Sequence, residues 1–178
     1  MRTTLSCLSV RQPWAWLIVN GHKDVENRTW PTRHQGDTLI HAGQVFDREG
    51  LAWILTRFPE MRDVLPEHYE LGGAVGTCQV LRCVQHSESR WFFGPYGFVL
   101  YRARPMPFVP LRGRLGIWEE PITDRLHASL RGTATQVEIS ASGQPFSHRS
   151  ARTAAMSTLG QVWQLSTEWL SASTMRKS

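Results

Sequence analysis

Lysine is almost missing from this chain. Lys23 and Lys177 are the only two among 178 residues, so the 20 basic residues are otherwise all arginine. In a sequence so biased, a single lysine inside the domain marks a place where a compact, titratable ammonium is wanted rather than a permanent planar cation. Cysteine is also scarce: Cys7, Cys78 and Cys83 form an odd number without metal-ligand spacing. No charged, apolar and small-residue signal pattern opens the chain, so free thiols in a reducing cytoplasm are expected. Long apolar runs are lacking too. The longest, from Trp14 to Val19, falls far short of a bilayer span, and no membrane-spanning segment is expected.

What is present is positive charge. The net charge is +5, with a pI near 9.6, which favours an anionic partner, nucleic acid being the commonest for a small basic protein. At this length one ordinary domain with a tail is expected. The most informative stretch runs from Arg11 to Arg28. Pro13 suits a first helical turn and Gly21 a left-handed residue just past the helix end. The segment 24–30 then reads as extended chain. Glu26 and Arg28, two apart, share one face of it, while Lys23 sits at the turn leading in. A lysine, a carboxylate and an arginine are thereby gathered at one junction.

Residues 5–10 read as a strand feeding that helix, and 36–42 as another strand entered through a turn. Leu51, Ile54, Leu55 and Phe58 follow helical spacing, with Asp47 as N-cap and Pro59 as stop. Segments 73–84, 97–103 and 115–118 read as strands, their glycines marking bends or bulges. The fold class expected is α+β and mainly β: a small β-barrel flanked by short helices, with a C-terminal helical extension. Past Pro121 the composition turns to Ser, Thr, Ala and Gly. The domain is therefore drawn over 1–121, with 122–178 as a low-complexity extension carrying a marginal amphipathic helix near 151–170. That helix would dock on the domain or on a protein partner.

Several motifs together carry a family resemblance. The run from Leu8 to Ala15, the Gly-x-Lys-x-x-Glu-x-Arg pattern of Gly21, Lys23, Glu26 and Arg28, and the segments 39–42, 73–76, 94–100 and 113–118 resemble an ASCH domain, the activating signal cointegrator homology module, over about residues 5–120. The resemblance implies a PUA-like β-barrel whose cleft, lined by the Lys-Glu-Arg pattern, binds nucleic acid, most often proposed to be RNA. Some members hydrolyse N4-acetylcytidine and others are linked to RNA cleavage. Deacetylase-type members carry threonine where this chain has Glu26.

The residues themselves leave alternatives open. Lys23 can pair with phosphate or, desolvated, act as base or nucleophile, and Arg28 can fork two N–H groups onto a phosphate. Glu26 can accept from a base amino group, activate water, or hold its basic neighbours. A purely structural ion-pair cluster is the bland alternative. Catalytic roles for Lys23 and Glu26 apply only if the protein is an enzyme. Trp14, Trp16, Trp30, Trp53 and Trp118 read as core or rim packing, whereas Trp91, Phe92 and Tyr96 divide between base stacking and loop packing. Gln12 and Ser9 read a base edge or cap the helix, and His41 reads as a satisfied buried histidine. The expected nucleic-acid-binding set is Arg11, Gln12, Trp14, Lys23, Glu26, Arg28, Trp91, Tyr96, Arg112 and Arg114, with Arg33 on a flank if the groove is open. The expected ligand is RNA, another single-stranded nucleic acid, or a modified nucleoside. No metal and no cofactor are called for.

Overall fold

The computed structural model describes residues 3–139, and the side chains of residues 3–132. β1 (Thr4–Gln12) leads into α1 (Trp14–Val19), β2 (Val25–Arg28), β3 (Gly36–Phe46) and α2 (Arg48–Arg57). A 3-10 turn (Pro59–Asp63), β4 (Gly73–Val84), β5 (Tyr96–Pro110), β6 (Ile117–Pro121) and α3 (Asp124–Ile139) follow. The local signals explain the early elements. Pro13 precedes α1, Gly21 has a φ of 77°, and the Asp47 carboxylate accepts from the Gly50 N–H at 2.7 Å to cap α2.

The six strands lie in the order β2-β5-β4-β3-β1-β6, with β1 parallel to β3 and every other pair antiparallel. The architecture is α+β and mainly β, but the expected closed barrel is corrected to an open sheet whose edges are β2 and β6. The reason lies in β2, which has four residues and pairs with β5 alone. A side chain reaches where no ladder does. Arg28 of edge strand β2 donates through Nη2 to the backbone carbonyl of Ser9 in β1 at 2.5 Å, so the sheet curls until these two non-adjacent strands meet.

Both faces of the central strands are buried. Leu8, Val10, Ile40, Ala42, Val80 and Phe98 pack with Ala15, Ile18 and Val19 of α1. On the other side Leu5, Cys7, Leu39, Met106, Val109 and Trp118 pack with Leu126 of α3. A third cluster, of Leu17, Ile54, Phe58, Met61 and Trp91, joins α1 to α2. Gly76 is required by closeness: a Cβ there would lie 2.5 Å from both the Arg104 carbonyl oxygen and Val19 Cγ1.

β5 is longer than the expected 97–103, running on to Pro110 despite three prolines. Arg102 adopts a φ of 48°, and the β4–β5 register shifts three times along the pair. The shift between Val109 and Pro105 takes Pro107 out of the regular ladder, whereas Pro105 and Pro110 register with Gly76 and Gly73. Beyond residue 121 the chain continues into α3, where Ser129 Oγ donates to the Pro107 carbonyl at 2.6 Å. The helix expected near 151–170 lies outside the described residues. Among those described, no helix is long and apolar enough to cross a membrane.

Candidate functional site

The turn after α1 is tightly folded. The backbone N–H groups of His22 and Lys23 both donate to the Leu17 carbonyl, at 2.9 and 3.0 Å, and this aims the Lys23 side chain inward. Lys23 is 2% exposed. Its Nζ donates to the Val25 carbonyl and, at 2.7 Å, to Glu26 Oε2, with the Trp14 ring centroid 5.8 Å away. Glu26 Oε1 lies 3.2 Å from Arg28 Nη2. The three side chains thus form one chain of alternating charge, buried at Lys23 and partly open at Arg28, whose side chain is 21% exposed. Arg28 Nε is buried without a hydrogen-bond partner among the described residues. Burial holds the Lys23 ammonium below the ordinary lysine range, against the pull of Glu26 in the opposite direction.

Asn27, between Glu26 and Arg28, serves the other side of β2. Its Nδ2 donates to the Trp91 carbonyl at 2.7 Å, and its Oδ1 accepts from the backbone N–H groups of Phe93 and Gly94 at 3.0 and 3.2 Å. The Lys-Glu-Arg strand therefore also fastens the aromatic loop. Sequence reasoning assigned Asn27 nothing. The available signal was its period-2 position, opposite in sense to Glu26 and Arg28.

Beneath Arg28 lies a second polar pair. His41 Nε2 donates to the Leu111 carbonyl at 2.9 Å, and its Nδ1 lies in hydrogen-bond contact with Ser9 Oγ at 3.1 Å. A Cβ on Gly113 would lie 2.5 Å from His41 Cε1 and 3.0 Å from Ser9 Oγ. The backbone between Arg112 and Arg114 thus rests directly on the residue that anchors Arg28.

Of the expected site residues, Lys23, Glu26, Arg28 and Trp14 come together. Tyr96 stands opposite Arg28 in the β2–β5 register. Arg11, Arg33, Arg112 and Arg114 are exposed. Gln12 is elsewhere employed: it is 1% exposed, accepts from the Trp16 N–H at 2.9 Å and donates to the Glu70 carbonyl at 3.0 Å. Trp91 is buried, its indole N–H on the His22 carbonyl at 2.6 Å and its ring 4.4 Å from that of Phe58. The exposed aromatic of that loop is Phe93, which the sequence reading did not select. Two surface depressions, one from Phe46 to Leu71 and one around Trp16, Glu70 and Phe108, include none of Lys23, Glu26 and Arg28. No group of three His, Cys, Asp or Glu suited to a metal occurs among the described residues.

Known proteins resemble this chain. The family model described as the ASCH domain matches residues 8–111. Activating signal cointegrator 1 of Homo sapiens is 29% identical over 128 residues, and the Mus musculus protein of the same name 30% over 126. Each alignment covers 64% of this chain and 22% of the relative, so the chain spans less than a quarter of those proteins. A crystal structure of ASCH from Zymomonas mobilis aligns over 74% of this chain and 96% of its own, at 14% identity and a TM-score of 0.41. A point variant of that protein gives 15% identity and 0.39, covering 74% and 98%.

Proposed function

Because this chain belongs to the ASCH domain family, we propose that it binds single-stranded RNA in a basic, aromatic-rimmed cleft built around Lys23, Glu26 and Arg28. The observation that carries this reading is the condition of Arg28. Its guanidinium is held by Glu26 and the Ser9 carbonyl while its side chain stays partly open and its buried Nε lacks a partner. A guanidinium fixed in this way loses little rotamer freedom when it takes a phosphate or a base edge. In this reading the buried Lys23 acts from behind, fixing Glu26, which orients Arg28. Tyr96 stands beside Arg28, and the exposed Arg11, Arg112 and Arg114 supply the long-range attraction to phosphates.

The test is fluorescence anisotropy with a short labelled single-stranded RNA over a range of salt. Affinity falls steeply with salt as counterions are released, and removing Arg112 or Arg114 lowers the slope of log affinity against log salt by about 1 for each phosphate left unneutralised. An affinity indifferent to salt would overturn the reading.

A second reading, an amidohydrolase acting on a modified nucleoside such as N4-acetylcytidine, or a ribonuclease, is favoured by one observation: burial keeps Lys23 below its ordinary protonation range beside a carboxylate. Such a lysine can serve as base or nucleophile. Incubation with N4-acetylcytidine and with short RNA separates the two, because turnover that vanishes in Lys23→Ala supports the enzyme and retention without turnover supports the binding module.

A further inference from the structure

Two aromatic side chains are conspicuously exposed beside the Lys23 cluster. Trp53 of α2 is 40% exposed and Phe93 is 58% exposed, and their ring centroids lie 5.3 Å apart. Trp14 stands behind both, at 6.0 Å from Trp53 and 6.3 Å from Phe93, and the same Trp14 ring lies 5.8 Å from Lys23 Nζ. Trp14 thus packs between the two exposed rings and the buried Lys23.

The parts of this shelf are held by buried or directional polar bonds. The Phe93 amide is gripped by Asn27, the residue next to Arg28, and Trp14 is oriented by Asp47, which also caps the helix bearing Trp53. Rings left open to water on a loop and a helix so fixed are suited to a flat ligand, and the half-exposed Arg90 guanidinium, paired with Glu60 and 4.2 Å from the Phe58 ring that Trp53 packs against, suits one attached to an anion. We infer that Trp53 and Phe93 form a stacking platform for a nucleobase of single-stranded RNA. This inference rests on the RNA-binding reading above and adds a subsite to it. Stacking on such a shelf is tolerant of base identity, because every base presents a π face.

The test measures anisotropy of the full chain with a labelled single-stranded RNA, and with the same RNA carrying one abasic sugar at each position in turn. Phe93→Ala and Trp53→Ala weaken binding by roughly 5- to 150-fold while leaving the salt slope unchanged, and Trp53→Phe retains most of the affinity. One abasic position reproduces the loss in the wild-type protein and adds nothing further in Phe93→Ala. The abasic series requires no altered protein, so a Trp53 variant that fails to fold does not blunt the test. Salt-dependent binding that is equal for Phe93→Ala, wild type and every abasic RNA would overturn the platform and leave the cleft reading standing. Absence of any RNA binding by the wild type would overturn both.

Discussion

The carboxylate of Asp47 is shared between a helix and a tryptophan: Oδ1 accepts from the Gly50 N–H at 2.7 Å, and Oδ2 from Trp14 Nε1 at 2.9 Å. One side chain thereby starts α2 and sets the plane of the indole beside Lys23. Asp47→Ala removes the cap and releases the ring, and an N-cap of this kind is worth about 1–2 kcal/mol. Thermal unfolding is expected to fall by several degrees. A melting temperature equal to wild type would show that the cap carries no weight here.

The two members of the buried Lys23–Glu26 pair are not equivalent. Glu26→Gln leaves the Lys23 ammonium facing a neutral amide, whereas Lys23→Met replaces a buried stem by one of similar volume and leaves Glu26 paired with Arg28. Breaking a buried pair by stranding one charge costs about 3–5 kcal/mol, while replacing it with apolar bulk is far milder. Glu26→Gln is therefore expected to melt below Lys23→Met. The reverse order in a denaturant titration would mean that Glu26, not Lys23, is the member poorly housed by the fold.

The same lysine gives stability a pH signature. Its folded-state value is lowered by burial from the ordinary 10.5, so between that lowered value and 10.5 the unfolded chain holds a proton that the native one does not. Stability contributed at this position rises with pH across that window and is lost as pH falls through the folded value. Subtracting the pH profile of Lys23→Met from that of the wild type isolates the effect, and a difference that declines with rising pH contradicts it.

The thiols act in the opposite sense. Burial raises Cys7 well above the ordinary 9.0 and pushes Cys78 up to about 12. Native thiols stay protonated where unfolded ones ionise, so their contribution is complete below pH 9 and fades as pH rises above it. Near neutral pH Cys83, half-buried, is expected to react with a thiol reagent well before Cys7 and Cys78. Mass spectrometry after brief alkylation reads this directly, and equal labelling of all three would refute it.

Truncation at two points examines where the domain ends. Cutting after residue 121 strips Leu126 from Met106, Val109 and Trp118, and each large side chain so uncovered forfeits about 1.5–3 kcal/mol. Cutting after residue 143 keeps α3 whole. The longer fragment is expected to melt cooperatively at a clearly higher temperature than the shorter; equal melting would support the boundary at 121.

What could be read in advance was what obeys local rules. Pro13, Gly21 and Asp47 are end signals that act over a few residues, and Glu26 and Arg28 share a face because a strand repeats every two. Selection among Trp91, Phe92 and Phe93 was not local. Which ring turns inward depends on Phe58 and the His22 carbonyl, contributed from 33 and 69 residues away in sequence. Asn27 escaped notice for the same reason, since its partners lie 64 to 67 residues on. Closure of the sheet was equally illegible, because it turns on four residues of β2 and one guanidinium rather than on any periodic pattern.

The position of β1 between β3 and β6 has a bearing on the order in which the protein assembles. Thr4 registers with Pro121 and Leu5 with Glu120, so the strand made first receives its second neighbour more than a hundred residues later. β2 likewise waits for β5, with Glu26 opposite Phe98. Pairings this distant in sequence put folding in the slow regime, on the order of milliseconds to seconds. During synthesis β1 presents an unpaired edge to whatever strand is nearest, a template for misassembly with other nascent chains. The bond from Arg28 to Ser9 spans only 19 residues. It is a link a growing chain can make early, holding the two waiting strands together until their ladder partners emerge.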